Sequence, residues 1–314
     1  MNDGIKDVIM IGAGPSALAA AIYTTREDID TTLYEKSAIG GLAAITDMVD
    51  NYPGFAEGVE GLKLAGYLEK QAERFGAHIE FGDVSAIRDE GEYKVVVSDG
   101  VDVKAKVVLI ATGSDYKKIG VPGEQEFYGR GVHYCATCDG AYYRDKKLAV
   151  VGGGNSALQE TLFLTRYASH IDLLVRSTIK ASEVLQHELE KYVAEGKITV
   201  HLATETQEIV ATDGRVSAVK VIKDGQPETL DVDGVFVFVG LLPNTQFLEG
   251  SGVELDELGL VKTNRHLETN ISGIFASGDV RSGATAQIAS AVGEGATAAL
   301  SIREYLDELS RHTS

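Results

Sequence analysis

The 314-residue sequence predicts an α/β fold assembled from two similar units, on three observations. A glycine-rich turn, Val8-Ile9-Met10-Ile11-Gly12-Ala13-Gly14-Pro15-Ser16-Ala17, recurs in design 140 residues later as Leu148-Ala149-Val150-Val151-Gly152-Gly153-Gly154-Asn155-Ser156-Ala157. Each copy is an apolar strand-like run, then Gly-x-Gly-x-x-Ala, then a segment with helical apolar spacing. A lone Cys-x-x-Cys lies just ahead of the second copy.

The spacing has a physical reading. Gly12 and Gly152 make a tight turn, Gly14 and Gly154 let backbone approach a pyrophosphate, and Ala17 and Ala157 let helix pack on strand. The anion then rests on the helix N-terminus, opened in the second copy by Asn155 and Ser156, where free N–H groups and the positive end of the dipole meet it. One such turn is weak evidence. Two of one design around a dithiol predict two Rossmann-like dinucleotide-binding domains and transfer of electrons to a disulfide.

The strand after each turn separates the ligands. Twenty-three residues after Gly12 the run Thr31-Thr32-Leu33-Tyr34 ends at Glu35, a carboxylate suited to a ribose 2′-OH. The same offset from Gly152 reaches Val175, followed by Arg176 and Ser177. No carboxylate there repels a 2′-phosphate, and Arg with a hydroxyl can bind one. The first site is therefore expected to take FAD or NAD. The second is expected to take NADPH, with NADH as the alternative. Arg176 reads equally well as a solvated surface charge.

A net charge of −18 with 24% charged residues argues against nucleic acid or an anionic membrane as partner. No apolar run reaches the roughly 18 residues of a membrane span, and Met1-Asn2-Asp3-Gly4-Ile5-Lys6-Asp7 lacks a signal-peptide pattern, so the expectation is a cytoplasmic enzyme.

Cys135 and Cys138 are the chain's two cysteines, within His133-Tyr134-Cys135-Ala136-Thr137-Cys138-Asp139-Gly140. Such a pair near a βαβ pattern reads first as a redox dithiol. Zinc needs four ligands and finds no second pair here, so no metal is expected. A structural disulfide closing so short a loop constrains little chain entropy. Asp139 is placed to exchange protons with the sulfurs, since only a thiolate attacks and the departing one must be protonated. It reads alternatively as a turn or helix-capping aspartate.

The chain predicts further elements in order. After the first turn and helix come a Gly/Pro-punctuated loop at 40–54, a helix at 61–75, and strands at 79–81, 93–98 and 107–110, the last ending in Ala111-Thr112-Gly113. The second unit holds a helix at 182–194 and strands at 199–202, 215–222 and 234–239, and Leu241-Leu242-Pro243-Asn244 reads as a linker. The segment Ile274-Phe275-Ala276-Ser277-Gly278-Asp279 and a small-residue helix at 287–309 follow. This tail has no dinucleotide turn of its own, so it is expected to belong to the first domain. The boundaries expected are 1–117 with 246–314 for that domain, and 118–245 for the inserted one.

Together these segments resemble the low-molecular-weight thioredoxin reductases, over essentially the whole chain, with Cys135-Ala136-Thr137-Cys138-Asp139-Gly140 the most specific part. The resemblance implies a homodimeric flavoprotein, with an NAD(P)H domain carrying the dithiol inserted into a discontinuous FAD domain. It places Gly12, Gly14, Ala17, Glu35, Gly41, Asn51, Thr112, Gly113, Asp279 and Gln287 at FAD-contacting positions, with Asp279 toward the ribityl chain. It places Gly152, Gly154, Asn155, Ser156, Arg176, Ser177 and Lys180 at the pyridine nucleotide. It implies that Cys138 faces the flavin, that Cys135 attacks the substrate disulfide of a thioredoxin-like protein, and that Asp139 supplies the proton. It also implies a rotating inserted domain, with hinges at 117–120 and 242–244.

Three departures from the family pattern bear on this. The phosphate-reading segment is Val175-Arg176-Ser177-Thr178-Ile179-Lys180, one residue short and with a single Arg, which weakens any NADPH preference. The glutamine expected after Gly40-Gly41 is Leu42, and the arginine expected before Gln287 is Ala286. Two other functions fit the residues: an NADH-linked reductase of a glutaredoxin-like or peroxiredoxin partner, and a flavin redox sensor without turnover.

Overall fold

In a computed structural model of the chain, which describes residues 4–46 and 48–312, strand Ile5–Ile11 runs into Gly12 and helix Pro15–Thr25 leads away. Residues 8–11 of the strand are buried and apolar, as befits a strand covered on both faces of a parallel sheet. It pairs in parallel with Thr31–Glu35 on one side and with Val101–Ile110 on the other. His78–Phe81 extends the sheet beyond Thr31–Glu35. Ile274–Ala276 adds in parallel to the far end of Val101–Ile110, while Lys94–Ser98 and Val84–Asp89 continue its near end as an antiparallel meander.

The chain divides into two compact units. One comprises the chain up to Asp115 and again from Leu242; the other is Tyr116–Leu241. The C-terminal part belongs to the first unit for visible reasons. Its strand Ile274–Ala276 joins that sheet, and helix Ile288–His312 lies on helix Pro15–Thr25. The two helices approach so closely at Gly295 that a Cβ there would stand 2.1 Å from the Ser16 carbonyl oxygen. Ser16 Oγ and Ser277 Oγ share a hydrogen bond of 2.6 Å beside that crossing.

The second unit repeats the plan. A five-stranded parallel sheet orders Val132–His133, Gly234–Val237, Lys147–Val151, His170–Leu174 and Ile198–His201. Helix Asn155–Leu164 follows the second glycine turn, and helix Glu183–Ala194 precedes the last strand. A separate antiparallel sheet of Thr204–Thr212, Arg215–Lys223 and Gln226–Asp231 completes the unit. Both units are thus Rossmann-like, with each glycine turn at the carboxyl end of a central parallel strand, where open α/β sheets bind ligands.

Several elements differ from the expectation. Val84–Asp89, Thr204–Thr212 and Gln226–Asp231 are strands where only connections were expected. Gln226–Asp231 is exposed along nearly its whole length, so it carries no apolar alternation to read. Leu241–Pro243, expected as a linker, is a short strand, and the last helix runs three residues past its expected end, to His312.

Candidate functional site

The two glycines of the first turn are glycines for different reasons. Gly12 has φ +98°, and a Cβ on it would lie 2.5 Å from the Ala111 carbonyl oxygen, so the fold itself excludes a side chain. Gly14 has φ −75°, ordinary for any residue, and a Cβ on it would meet nothing within 4 Å. It is the N-cap of helix Pro15–Thr25 and supplies no side-chain cap. The helix therefore opens with unsatisfied N–H groups and a positive dipole end facing free space, a fit for a pyrophosphate. Ala17, fully buried on that helix, packs in the core below.

Other expected residues gather at this end of the sheet. A Cβ on Gly41 (φ +53°) would have Gly14 Cα as its nearest neighbour, at 3.9 Å. Gly278 likewise packs on Ser16, bringing Asp279 to the start of the same helix. Thr112 Oγ1 donates to the Asn244 carbonyl at 2.7 Å, and Asn244 Nδ2 donates back to the Thr112 carbonyl at 3.0 Å. Gly113 has φ +66° and open space where a side chain would stand. Asn51 Nδ2 donates to Gln287 Oε1 at 3.0 Å. The Asp279 carboxyl is held above the usual range, first by burial and then by the nearby Glu294.

Glu35 ends its strand with both carboxylate oxygens engaged. Oε2 accepts the Ala13 N–H at 2.8 Å, while Oε1 accepts the Ser37 N–H at 2.9 Å. It borders a cavity of about 370 Å³ whose wall also includes Gly12, Gly82, Asp83, Thr112 and Phe247. An opening of this size at the strand ends, bordered by a fixed carboxylate, suits the adenosine part of a dinucleotide. Gly82, Asp83 and Phe247 carried no signal in the sequence, since each comes from a segment without a motif.

The second turn repeats this division of roles. Gly152 has φ +148°, and a Cβ on it would sit 2.4 Å from the Phe238 carbonyl oxygen. Gly154, with φ −92°, caps helix Asn155–Leu164 without a side chain and has open space around it. Where Glu35 bonds the middle residue of the first turn, Val175 packs its Cγ1 2.7 Å from the position of a Cβ on Gly153. The loop after it is tied to the turn, Lys180 N–H donating to the Gly153 carbonyl at 2.7 Å and Ser182 N–H to Asn155 Oδ1 at 2.8 Å. Arg176, Ser177 and Lys180 stand exposed on this loop, with Ser156 exposed at the helix start. Among the described residues no ion pair engages Arg176 or Lys180.

Cys135 and Cys138 form a disulfide, with Cα atoms 5.3 Å apart. Cys135 is the N-cap of the short helix Ala136–Asp139, its Sγ accepting the Cys138 N–H at 3.2 Å. Asp139 Oδ2 lies 3.2 Å from Nδ1 of the buried His133, whose Nε2 lies 2.7 Å from the Tyr143 hydroxyl. Burial, with a smaller effect from Asp139 and Asp233, pushes the Tyr143 phenol well up. Glu160, on the helix that begins at the second glycine turn, accepts the Ala136 N–H; burial raises its carboxyl above the usual range. Sequence reasoning missed His133, Tyr143 and Glu160 as functional candidates. Only His133, two residues before Cys135, lies close enough to the cysteine motif to have drawn notice.

No group of three or more metal-ligating side chains occurs among the described residues, and no helix of the structure is long and apolar enough to cross a membrane.

Residues 6–295 match the pyridine nucleotide-disulphide oxidoreductase family. The chain is 41% identical to thioredoxin reductase of Bacillus subtilis over 98% of its own length and 97% of that protein's. It is 40% identical to thioredoxin reductase of Listeria innocua, over 98% and 96% of the two chains. The crystal structure of thioredoxin reductase from Streptococcus pyogenes matches with a TM-score of 0.92 at 36% identity, covering 98% of this chain and 99% of that one.

Proposed function

This chain belongs to the pyridine nucleotide-disulphide oxidoreductases, and within them to the low-molecular-weight thioredoxin reductases; from that premise we propose that it carries electrons from NADPH, through FAD, to the disulfide of a thioredoxin-like protein. The observation that carries this reading is the Cys135–Cys138 disulfide beside the Asp139 carboxylate, in a chain with two open glycine turns. Bound FAD supplies the means of converting a two-electron hydride donor into a reductant of a disulfide.

The chain's own residues have separable tasks in this reading. Gly14, Gly41 and the free N–H groups of helix Pro15–Thr25 hold the FAD pyrophosphate, and Glu35 holds the adenosine ribose. Thr112, Gly113, Asn51, Gln287 and Asp279 orient the remainder, with Ala17 and Gly12 shaping the floor. In the second unit Gly152, Gly154, Asn155 and Ser156 receive the pyridine nucleotide pyrophosphate. Arg176, Ser177 and Lys180 receive the 2′-phosphate, which favours NADPH over NADH. Cys135 attacks the substrate disulfide, Cys138 faces the flavin, and Asp139 protonates the departing sulfur. The enzyme works in this reading as a homodimer in the cytoplasm.

Steady-state NADPH oxidation with oxidised thioredoxin as acceptor tests the reading. Cys135→Ser and Cys138→Ser are each expected to abolish it, while NADPH still bleaches the bound flavin, because the hydride step precedes the dithiol. Continued thioredoxin reduction by either variant would remove the dithiol from the route.

A further inference from the structure

We infer that His133 is a positioning residue for Asp139, fixing its carboxyl through an Nδ1–H hydrogen bond in an Asp139–His133–Tyr143 chain that serves the exchange of the Cys135/Cys138 dithiol with substrate. The inference rests on the proposed role of Asp139 as proton donor. Its geometry is contained in one short stretch. His133 ends strand Val132–His133 and leaves only 7% of its side chain exposed; Asp139 ends the short helix that Cys135 caps, with 21% exposed. The imidazole has one nitrogen on each partner, 3.2 Å to Asp139 Oδ2 and 2.7 Å to Tyr143 Oη, and Phe236 lies 5.1 Å away, centroid to centroid.

The order of donors is part of the inference: it places the ring proton on Nδ1, toward Asp139 Oδ2, with Nε2 accepting from the Tyr143 hydroxyl, which burial keeps protonated. Tyr128 and Asp233 also stand in this field, Asp139 helping burial to raise the Tyr128 phenol and Asp233 acting on Tyr143.

The exchange balances in atoms and electrons. The Cys135 thiol gives its proton to the Asp139 carboxylate, and the resulting thiolate bonds to one substrate sulfur as the substrate S–S bond breaks. The departing sulfur takes the electron pair and a proton from the Asp139 carboxylic acid, whose new carboxylate accepts the His133 Nδ1–H. The Cys138 sulfur then bonds to Cys135 as the second substrate sulfur departs, and the Cys138 proton passes by way of Asp139 to that sulfur. The dithiol loses two electrons, the substrate disulfide gains two, and two protons move with them.

Two near-isosteric variants separate the two nitrogens. His133→Asn places an amide N–H where Nδ1 was and keeps the bond to Asp139. His133→Gln reaches the Nε2 position and keeps only Tyr143. The holoenzyme is reduced anaerobically with dithiothreitol, desalted and mixed rapidly with oxidised thioredoxin. Bleaching of the flavin by NADPH is measured separately, and Asp139→Asn serves as reference. Exchange by His133→Gln is expected to be about tenfold slower, the lower range of a hydrogen bond to a charged group. His133→Asn should stay within about threefold of the parent, and Tyr143→Phe, which leaves His133 in place, should fall between them. Flavin bleaching should be unchanged in all three. Parent-like exchange by His133→Gln, equal slowing by Asn and Gln, or slowing of flavin bleaching in step with exchange would overturn the inference if Asp139→Asn is itself slow. An Asp139→Asn variant as fast as the parent would instead remove the proposed acid.

Discussion

Asn51 Nδ2 donates to Gln287 Oε1 at 3.0 Å, joining residues 236 positions apart in the sequence. The bond ties the Gly/Pro-rich loop at 40–54 to the start of the last helix, at the edge of the proposed flavin site. Asn51 is exposed, so the bond contributes little to stability, about 1 kcal/mol or less. Asn51→Ala and Gln287→Ala are each expected to leave the thermal midpoint nearly unchanged and to weaken FAD retention. Because the two act as one unit, the double variant should lose no more than the worse single. Losses of affinity that add in the double variant, measured by flavin titration of the apoprotein, would mean that the two residues act separately.

Gly14 provides a cleaner test of the first turn than Gly12. A Cβ on Gly12 collides with backbone, whereas one on Gly14 meets open space at an ordinary φ. Gly14→Val is therefore expected to fold with a near-parental apoprotein midpoint and to purify with little flavin. The ratio of flavin to protein absorbance gives the answer directly. Normal flavin content would show that no pyrophosphate passes there.

For coenzyme choice, the exposed Arg176 is the residue to change. A charge-assisted contact to phosphate contributes about 1.5–3 kcal/mol, and with a single Arg in the segment the lower end is expected, roughly tenfold in KM for NADPH. Arg176→Ala should bring that rise while the KM for NADH moves much less. Equal change for the two coenzymes would leave Arg176 as a solvated surface charge.

Glu160 gives a pH-dependent stability. Burial raises its folded-state carboxyl above the usual glutamate range, outweighing the Ala136 N–H it accepts. A raised folded value means stability that is full below the unfolded value, near about 4.3, and is lost as pH rises through the folded one. Glu160→Gln keeps an acceptor for Ala136 and never ionises. Its thermal midpoint relative to the parent is expected to be higher at pH 8 than at pH 4. A difference independent of pH would show that Glu160 is not ionising against burial.

The sequence by itself determined the two α/β units and the dithiol. These are local signals: near-continuous apolar runs for buried parallel strands, glycines where the turn has positive φ, and a Cys-x-x-Cys pair. It gave the two glycines of each turn different tasks, but not what a side chain at each would meet. Gly12 and Gly152 are required by carbonyls at Ala111 and Phe238, brought close only by strand pairing, whereas Gly14 and Gly154 face open space. The tertiary structure alone decided which side chains border the cavity, because Gly82, Asp83 and Phe247 converge from separate segments. It alone joined Glu160 to Ala136 and set His133 against Asp139 and Tyr143. The residues of that second cluster lie close in sequence, yet a strand end, a single helical turn and a 3₁₀ turn must fold before one imidazole can reach both partners. Hydrogen bonds of this kind depend on backbone direction and side-chain reach, and neither leaves a periodic trace in the order of residues.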